Sequence, residues 1–528
     1  MILPHLSRLF ADYLTRDGGK SDLLRELYPA PTDANEQIAV ATASIGDRTA
    51  MAERLLAQNL HFGASEAALK NIARLGAGAS AVVTGQQVTL FGGPLLVLFK
   101  AATAIARAKA MGAVPIFWLA SEDHDLDEVD HIVLATRHKL DTLRLSLAGR
   151  GRPVGQLQLG AGIEPVLAQA GRLLGDCAEF RWLREAYQPE ATMAEAFGRW
   201  MARVFAEQGL VVIDAATPGW HQAGVATLGQ AIERAEELEE LLAARNRQLT
   251  ERGYHAQVMV GAASSLLFLI EAEIGLRLPL RRTAQGGLWQ AGKKSYSKAD
   301  LLAILASEPE RLSPNALLRP VFEDTILPTT AYVGGPAEVA YFAQAQVVYQ
   351  ALLRRTTPIL PRMSATLVPP SIAQVMEQHG VFLDDLLHHS EDALLHRIAA
   401  RAMPIEGKRK LAQAGRALDQ ELSALLPWIE SLDAGLGRSA KTSASKMLYQ
   451  MNRLRRLAAN FQIQKEQSLT RHMQAMASTL APHGHPQERV VAGVSYLATF
   501  GSSVVELALA AADRSLTEAE AAHYAIFL

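Results

Sequence analysis

Apolar residues change their spacing along the chain, and each change predicts a different kind of structure. Up to about residue 78 they recur at helical intervals, clearest over 47–60 and 65–75. A short β-branched run at 81–84 then gives way to a glycine-rich loop over 85–93, and Pro94 opens a helical pattern that lasts to about residue 111. The next run, 114–120, is short and apolar enough for a buried strand. Strand, crossover helix and strand make a βαβ unit, which predicts a parallel sheet covered by helices. Alternating stretches at 143–147 and 156–159 predict a small insertion with exposed strands. A helix over 192–208 leads into another buried strand at 210–214, with Asp214 at its carboxyl end, where open α/β sheets bind ligands. A long charged helix over about 223–253 and a mixed stretch to about 309 read as a second insertion. The sheet resumes near Tyr332, passes through a helix at 337–354 and ends at 358–361.

Beyond about 380 the pattern is almost wholly helical. Leu411, Leu418, Leu425 and Leu432 recur every seven residues, as do Ala440, Met447, Leu454 and Phe461. Two such helices, separated at 433–437, predict an antiparallel hairpin or pairing with another chain, and the two heptad series predict a homodimer. Pro427 predicts a kink in the first arm. A last helical module runs from 483 to the end. The expected organisation is an α/β core over 1–380 with insertions at about 132–190 and 223–309, a helical coiled-coil domain over 381–482, and a terminal module over 483–528.

Composition narrows the setting. Of 528 residues, 49% are hydrophobic and 20% charged, which suits a folded protein and not a disordered one. Lys and Arg number 52 against 54 Asp and Glu, so there is no general pull on nucleic acid or anionic membrane. The lone cysteine, Cys177, leaves no internal disulfide and no cysteine cluster for zinc, and it fits a reducing compartment. The opening residues, Met1 to His5, lack the basic flank and apolar run of an export signal. The long uncharged run at 76–99 is broken by Gln86, Gln87, Gly92, Gly93 and Pro94, which suits strand, loop and helix better than a membrane span. A soluble cytoplasmic protein is expected.

Three polar clusters fall at loops of the inferred core. The first is Thr84, Gly85, Gln86 and Gln87, continuing through Gly92, Gly93 and Pro94 to Lys100. Glycines let a ligand approach the backbone, Gln amides bind carboxylates or hydroxyls, and the new helix would offer N–H groups to an anion. The second is Glu122, Asp123, His124 and Asp125, followed by Asp127, Glu128, Asp130 and His131. Carboxylates crowded after an apolar strand repel one another unless they meet a metal, an amine or a donor network. The third joins Asn315 and Arg319 with Tyr332, Gly334, Gly335 and Glu338. Arg319 can hold a carboxylate or phosphate bidentately, and Gly334-Gly335-Pro336 opens a helix as a second anion nest.

These motifs, together with Pro486-Gln487-Glu488-Arg489, occur in the order seen in BshC proteins, which the chain resembles over nearly its full length. The resemblance implies a Rossmann-like core with connecting-peptide insertions and a coiled-coil domain used for dimerisation. It implies a cysteine ligase of bacillithiol biosynthesis that joins cysteine's carboxyl to the amine of glucosaminyl-malate, with ATP or ADP bound near the carboxyl-terminal module. There Arg489 would meet phosphate, Gln487 a base edge or ribose, and Tyr496 would stack. Asp123, His124 and Asp125 would position the amine, with His124 as general base. Substrate anchoring would fall to 84–87, Asn315 and Arg319. A more distant similarity is to class I cysteine-activating aminoacyl-tRNA synthetases, in which Arg362-Met363-Ser364-Ala365-Thr366 resembles a degraded KMSKS loop. A metal-dependent hydrolase built on the acidic cluster and a non-catalytic coiled-coil scaffold are the rival readings.

Overall fold

The computed structural model describes residues 3, 6–15, 22–28, 46–136, 139–261, 263–283, 287–465, 467–517 and 523–528, so Met1, Ile2, Pro4 and His5 of the opening segment lie outside the described residues. The chain divides into two compact units. One holds Met1–Thr366 with Glu488–Ile526 and Leu528, and the other holds Leu367–Gln487 with Phe527. The divisions fall at 366/367 and 487/488, where the sequence reading draws them at 380/381 and 482/483. The reason is local. Arg362 forms a buried two-point ion pair with Glu488, at 2.6 and 3.0 Å, which holds the returning chain in the first unit.

The first unit is built on a five-stranded parallel sheet. Its strands in chain order are β1 (Ala81–Gln86), β2 (Val114–Leu119), β5 (Val211–Asp214), β11 (Thr329–Gly334) and β12 (Ile359–Pro361), arranged β12-β11-β1-β2-β5. Each expected core strand takes its place there. Alternation of side chains along the strands decides the two faces. Val82, Ala331 and Val333 pack against Ala104 and Ala108 of the helix Leu96–Ala110. Ala81, Val83, Ile116, Val211 and Ile213 point the other way, into the main core with Val339 and Phe342 of the helix Pro336–Leu353. Both faces are covered, so the strands are buried along nearly their whole length and mainly apolar, with Thr84, Thr329 and Thr330 as buried polar exceptions. The helix Leu96–Ala110 is itself buried along nearly all its length, because the helix Ser503–Ser515 packs on it as well. Among the described residues no single helix is long and apolar enough to cross a membrane.

Strand order reverses between β1 and β11. From β1 the chain moves outward through β2 to β5, while β11 and β12 lie on β1's other side. The loops leaving β1 and β11 therefore diverge and leave a crevice at their carboxyl ends, the place where open α/β sheets bind ligands.

Two insertions frame that crevice. The first contains the antiparallel pair β3 (His131–Ala135) and β4 (Leu140–Arg144). The stretch 156–159 is not a strand as expected; the chain makes a tight 3-10 turn at Val154–Gln156, because Val154 N and Gly155 N are drawn onto Asp123 O and Ser121 O at 2.7 and 2.8 Å. The second holds β6 (Ser264–Ile270), β7 (Arg277–Arg282), β8 (Leu288–Ala291) and β9 (Lys294–Ser297), with β10 (Leu312–Pro314) pairing on β6. The single helix expected over 223–253 is three pieces, Trp220–Ala223, Val225–Glu233 and Ala235–Glu251. At the first break, Gly224 lies so close to the Phe322 ring that a Cβ would stand 2.2 Å from it. The last module is not helical to its end: helices Gly493–Phe500 and Ser503–Ser515 are followed by a strand, His523–Phe527.

The second unit is helical, dominated by Ile405–Leu432 and Ala434–Lys465, which pack together as a hairpin. Asp433 starts the second arm by accepting the Leu436 N–H at 2.8 Å. Pro427 lies inside the first arm, which continues through it.

Two outcomes follow from this packing. Gly155→Ala would place a Cβ 2.3 Å from Ser121 Cβ and within 2.9 Å of its backbone; displacement of the 121–123 segment should lower stability by about 1–3 kcal/mol, read as a lower urea midpoint with an unchanged slope. The second concerns His523, whose ring accepts from or donates to Ser364 Oγ and Thr366 Oγ1, each at 2.8 Å. Burial lowers this imidazole from 6.5 to about 4. The unfolded chain then binds more protons than the folded one between those values, so stability is present above about 6.5 and lost as the pH falls towards about 4. Thermal unfolding of His523→Gln should show a weaker loss over that window than the wild type.

Candidate functional site

At the crevice between β1 and β11 lies a cavity of about 340 Å³. The end of β1 contributes Gly85 and Gln86, with Gln87 beyond it, while β11 and the following turn contribute Tyr332, Gly335 and Glu338. Asp123 reaches in from the loop after β2. The helix Arg319–Ile326 supplies Arg319 and Glu323, and the returning chain supplies Arg489 at the mouth. All three polar clusters thus meet at one cavity, and with them a residue assigned to a separate nucleotide site.

A buried ammonium braces the two sides of the crevice. Lys100, 3% exposed, donates to Gly85 O at 2.7 Å and Gln86 Oε1 at 3.1 Å and pairs with Glu338 Oε2 at 2.5 Å. Burial lowers its pKa, and Glu338 opposes that fall. Glu338 also accepts from Tyr332 Oη at 2.8 Å and from Gly335 N at 2.7 Å. The start of the helix Pro336–Leu353 is therefore capped by its own carboxylate. The Gly92–Gly93 turn is likewise occupied: Gly92 N donates to Tyr187 Oη at 3.0 Å and Leu95 N to Val491 O at 2.8 Å. These N–H groups are spent within the protein, so an anion here meets side chains instead.

Two guanidinium groups are placed for that. Arg319 is half-buried and Arg489 exposed, and neither has a side-chain partner among the described residues. Arg362 also lines the cavity but is bound by Glu488, whose carboxylate accepts further from Ser364 Oγ and Ala365 N, each at 3.0 Å. Glu323 is the opposite case. It is 2% exposed, and its Oε1 has no hydrogen-bond partner among the described residues. Burial and the neighbouring Asp324 push its carboxyl well above the usual range, against the pull of Arg319.

The acidic run after β2 disperses onto separate partners. Glu122 turns inward and stands 2.9 Å from His221, Asp127 binds Arg150 at 2.7 and 2.8 Å, and Asp130 takes Arg144 and His131. Asp123 Oδ2 accepts from Gln87 Nε2 at 2.8 Å, and the same amide donates to Glu128 Oε2 at 2.8 Å. Burial opposes ionisation of Asp123, but Arg319 and Gln87 outweigh it and hold the carboxyl below its usual value. Among the described residues no group of three or more His, Cys, Asp or Glu converges on a metal position.

Several predicted residues stand elsewhere. Thr84 lies inside the sheet and donates to Val333 O at 2.8 Å. Gly334 is a packing position, where a Cβ would lie 2.8 Å from Ile359. Asn315 Oδ1 accepts from Leu317 N and Leu318 N at 2.9 and 3.1 Å and so shapes the turn that carries Arg319. His124 and Asp125 sit beyond the cavity lining, Asp125 exposed and His124 beside Arg277 of β7. Gln487 is fully buried and binds main chain at both ends of its amide, to Leu367 and Thr479, while the Tyr496 ring is 4% exposed and stacks on Phe500. Arg362, noted in the sequence only as the start of the KMSKS-like stretch, and Glu323, four residues after Arg319, were given no place in the expected site, yet both line the cavity. Arg277, in an unremarkable alternating strand, gave no signal.

Comparison with known proteins agrees with this architecture. Residues 2–363 match the family described as "Bacillithiol biosynthesis BshC, N-terminal Rossmann-like domain", and residues 365–520 match its "C-terminal coiled-coil domain". A relative from Koribacter versatilis, named "Putative cysteine ligase BshC", is 41% identical over 97% of this chain and 96% of its own length. Relatives of the same name from Solibacter usitatus and Symbiobacterium thermophilum are 33% and 32% identical, over 94% and 92% of this chain and 94% and 90% of their own. With both family domains matched in order and a Rossmann-like sheet that gathers the family's motifs at its switch point, the chain belongs to the BshC family of bacillithiol biosynthesis and is a ligase.

Proposed function

We propose that the enzyme joins the carboxyl of L-cysteine to the amine of glucosaminyl-malate, with ATP activating the carboxyl, in the cavity between β1 and β11. The observation that carries this reading is the two-signed lining of that cavity. Arg319 and Arg489, with no side-chain hydrogen bond or ion pair among the described residues, face anions, while the Asp123 carboxylate faces donors such as an ammonium. Both proposed substrates carry carboxylate and amine together. An amine and a carboxylate do not condense in water unaided, so the carboxyl oxygen must leave as part of a phosphate or adenylate ester. The arginines suit phosphate oxygens as well as carboxylates. Gln87, fixed on Asp123 and Glu128, holds the amine-facing carboxylate in place. Arg489 is the residue of the expected nucleotide set that this cavity can use; Gln487 and Tyr496 would act by supporting the chain around it.

The enzyme also acts, in our reading, in the cytoplasm and as a homodimer through its helical hairpin. Leu425, Trp428 and Leu432 on one arm and Met447, Leu454 and Phe461 on the other are each 46% to 66% exposed, a face that a second copy would cover.

Mass spectrometry of products from purified enzyme with cysteine, glucosaminyl-malate and ATP, each omitted in turn, tests the reaction. The cysteinyl amide should appear only in the complete mixture, and absence of that product would refute the reading. Arg319→Ala should lower kcat/KM by about 30- to 100-fold, the loss of a charge-assisted contact of about 2–3 kcal/mol. For the assembly, Leu425→Asp with Leu454→Asp should halve the mass seen by light scattering while the circular dichroism spectrum stays helical; an unchanged dimer mass would place the interface elsewhere.

A further inference from the structure

His124 is assigned the general-base role on sequence grounds, yet its surroundings hold its ring in a state unsuited to that task. Its Nδ1 lies 3.1 Å from an Arg277 guanidinium nitrogen. A guanidinium only donates hydrogen bonds and stays charged at working pH. The ring nitrogen facing it must therefore accept, which leaves the one proton of the neutral imidazole on Nε2. Asp123 Oδ1 would favour the reverse, a proton on Nδ1, but it stands 3.8 Å away, beyond hydrogen-bond reach, and is occupied by the His124 and Asp125 N–H groups at 2.7 and 3.3 Å.

Arg277 is itself held from several directions. Its Nε donates to Ser313 Oγ at 3.0 Å and a terminal nitrogen donates to Pro314 O at 3.0 Å, while its guanidinium carbon lies 3.7 Å from the Phe268 ring centre. The same ring flanks His124 at 5.6 Å. The charged groups acting on His124 are thus Arg277 from β7 and Asp123 and Asp125 from its own segment. Burial lowers the imidazole pKa and Arg277 lowers it further, against the two carboxylates.

We propose that Arg277 is a positioning residue that fixes His124 as a neutral imidazole with its proton on Nε2, so that His124, next in the chain to the cavity-lining Asp123, meets a substrate group that extends past the lining as a hydrogen-bond donor and not as a proton acceptor. A donor of this kind stabilises negative charge that builds on the acyl oxygen or on the departing phosphate as the amine adds. As the carbon–nitrogen bond forms, the acyl carbon–oxygen bond breaks with its electron pair leaving on the phosphate, and the amine's proton passes to that phosphate or to water, not to His124. The catalytic half of this assignment rests on the ligase reading above, whereas the tautomer does not.

The experiment uses the full-length enzyme labelled with nitrogen-15 at histidine, with the His124 signals assigned by their loss in His124→Gln. Wild-type enzyme should show a bare Nδ1 and a protonated Nε2 at neutral pH, without any substrate present. In Arg277→Met the tautomers should mix and the protonation midpoint should rise by about one unit. The wild-type spectrum decides the tautomer even if that variant fails to fold, and a proton on Nδ1 or an imidazolium at pH 7 would overturn the proposal. In the ligation assay, His124→Ala should lose about 100-fold in kcat, while His124→Gln, whose amide N–H can stand in for Nε2–H, should retain a tenth or more of the wild-type rate. Equal loss in both variants would overturn the donor role, as would a normal rate in His124→Ala. Absence of amide product from wild-type enzyme would sink the ligase reading instead and leave the tautomer to the spectrum.

Discussion

A single buried ammonium organises the crevice. Lys100 stands where β1 ends, and the groups it binds belong to both walls: the carbonyl of Gly85 and the amide of Gln86 on one, the carboxylate of Glu338 on the other. A charge so deeply enclosed is tolerated only because each of its directions meets an oxygen. Glu338 in turn caps the helix after β11 and fixes the Tyr332 hydroxyl. Taking away either partner would strand the other charge in a low-dielectric interior, and both loops would lose their common anchor. The shape of the cavity is thus set by an ion pair that substrate need not touch.

The same economy governs the remaining charges. Glu488 satisfies Arg362, Gln87 steadies Asp123, and His221 meets Glu122. After these pairings, and among the described residues, the lining keeps Arg319 and Arg489 without a side-chain hydrogen bond or ion pair and one oxygen of Glu323 unsatisfied. Buried polar groups are nearly always paired in folded proteins, so the Glu323 oxygen is an exception within this lining. Rigid supports around a few uncommitted groups are what a transition-state binding site requires, since reorganisation during reaction would cost rate.

The parallel sheet was legible because its strands are apolar on both faces and its crossover helix begins at a proline, signals that depend on local sequence alone. The meeting of Gly85, Gln86, Gln87, Asp123, Tyr332, Gly335 and Glu338 at one cavity was legible for a related reason, since strand ends can be read, whereas Thr84, His124 and Asp125 from the same stretches stand outside its lining. What stayed hidden depends on distance in the chain. Arg277 looks like any outward residue of an alternating strand until β7 carries it 3.1 Å from His124, 153 positions away. The anion nest at Gly92 looked open because nothing local reveals that Tyr187 fills it, whereas at Gly335 the signal was local, a glutamate three residues on whose carboxylate turns back to cap the helix. The break at Gly224 was missed because helical periodicity carries no record of the Phe322 ring pressing on it.

The ion pair between Arg362 and Glu488 joins positions 126 residues apart, with the helical unit emerging between them. On the ribosome, where chains grow by ~5–20 residues each second, Arg362 is made on the order of ten seconds before its partner exists. During that interval the wall it completes has no counter-charge, so the catalytic sheet is assembled but its cavity is not closed. The segment that carries Glu488 is therefore made well after the five strands of the parallel sheet, and a chain without it would hold that sheet while leaving Arg362 without this counter-charge.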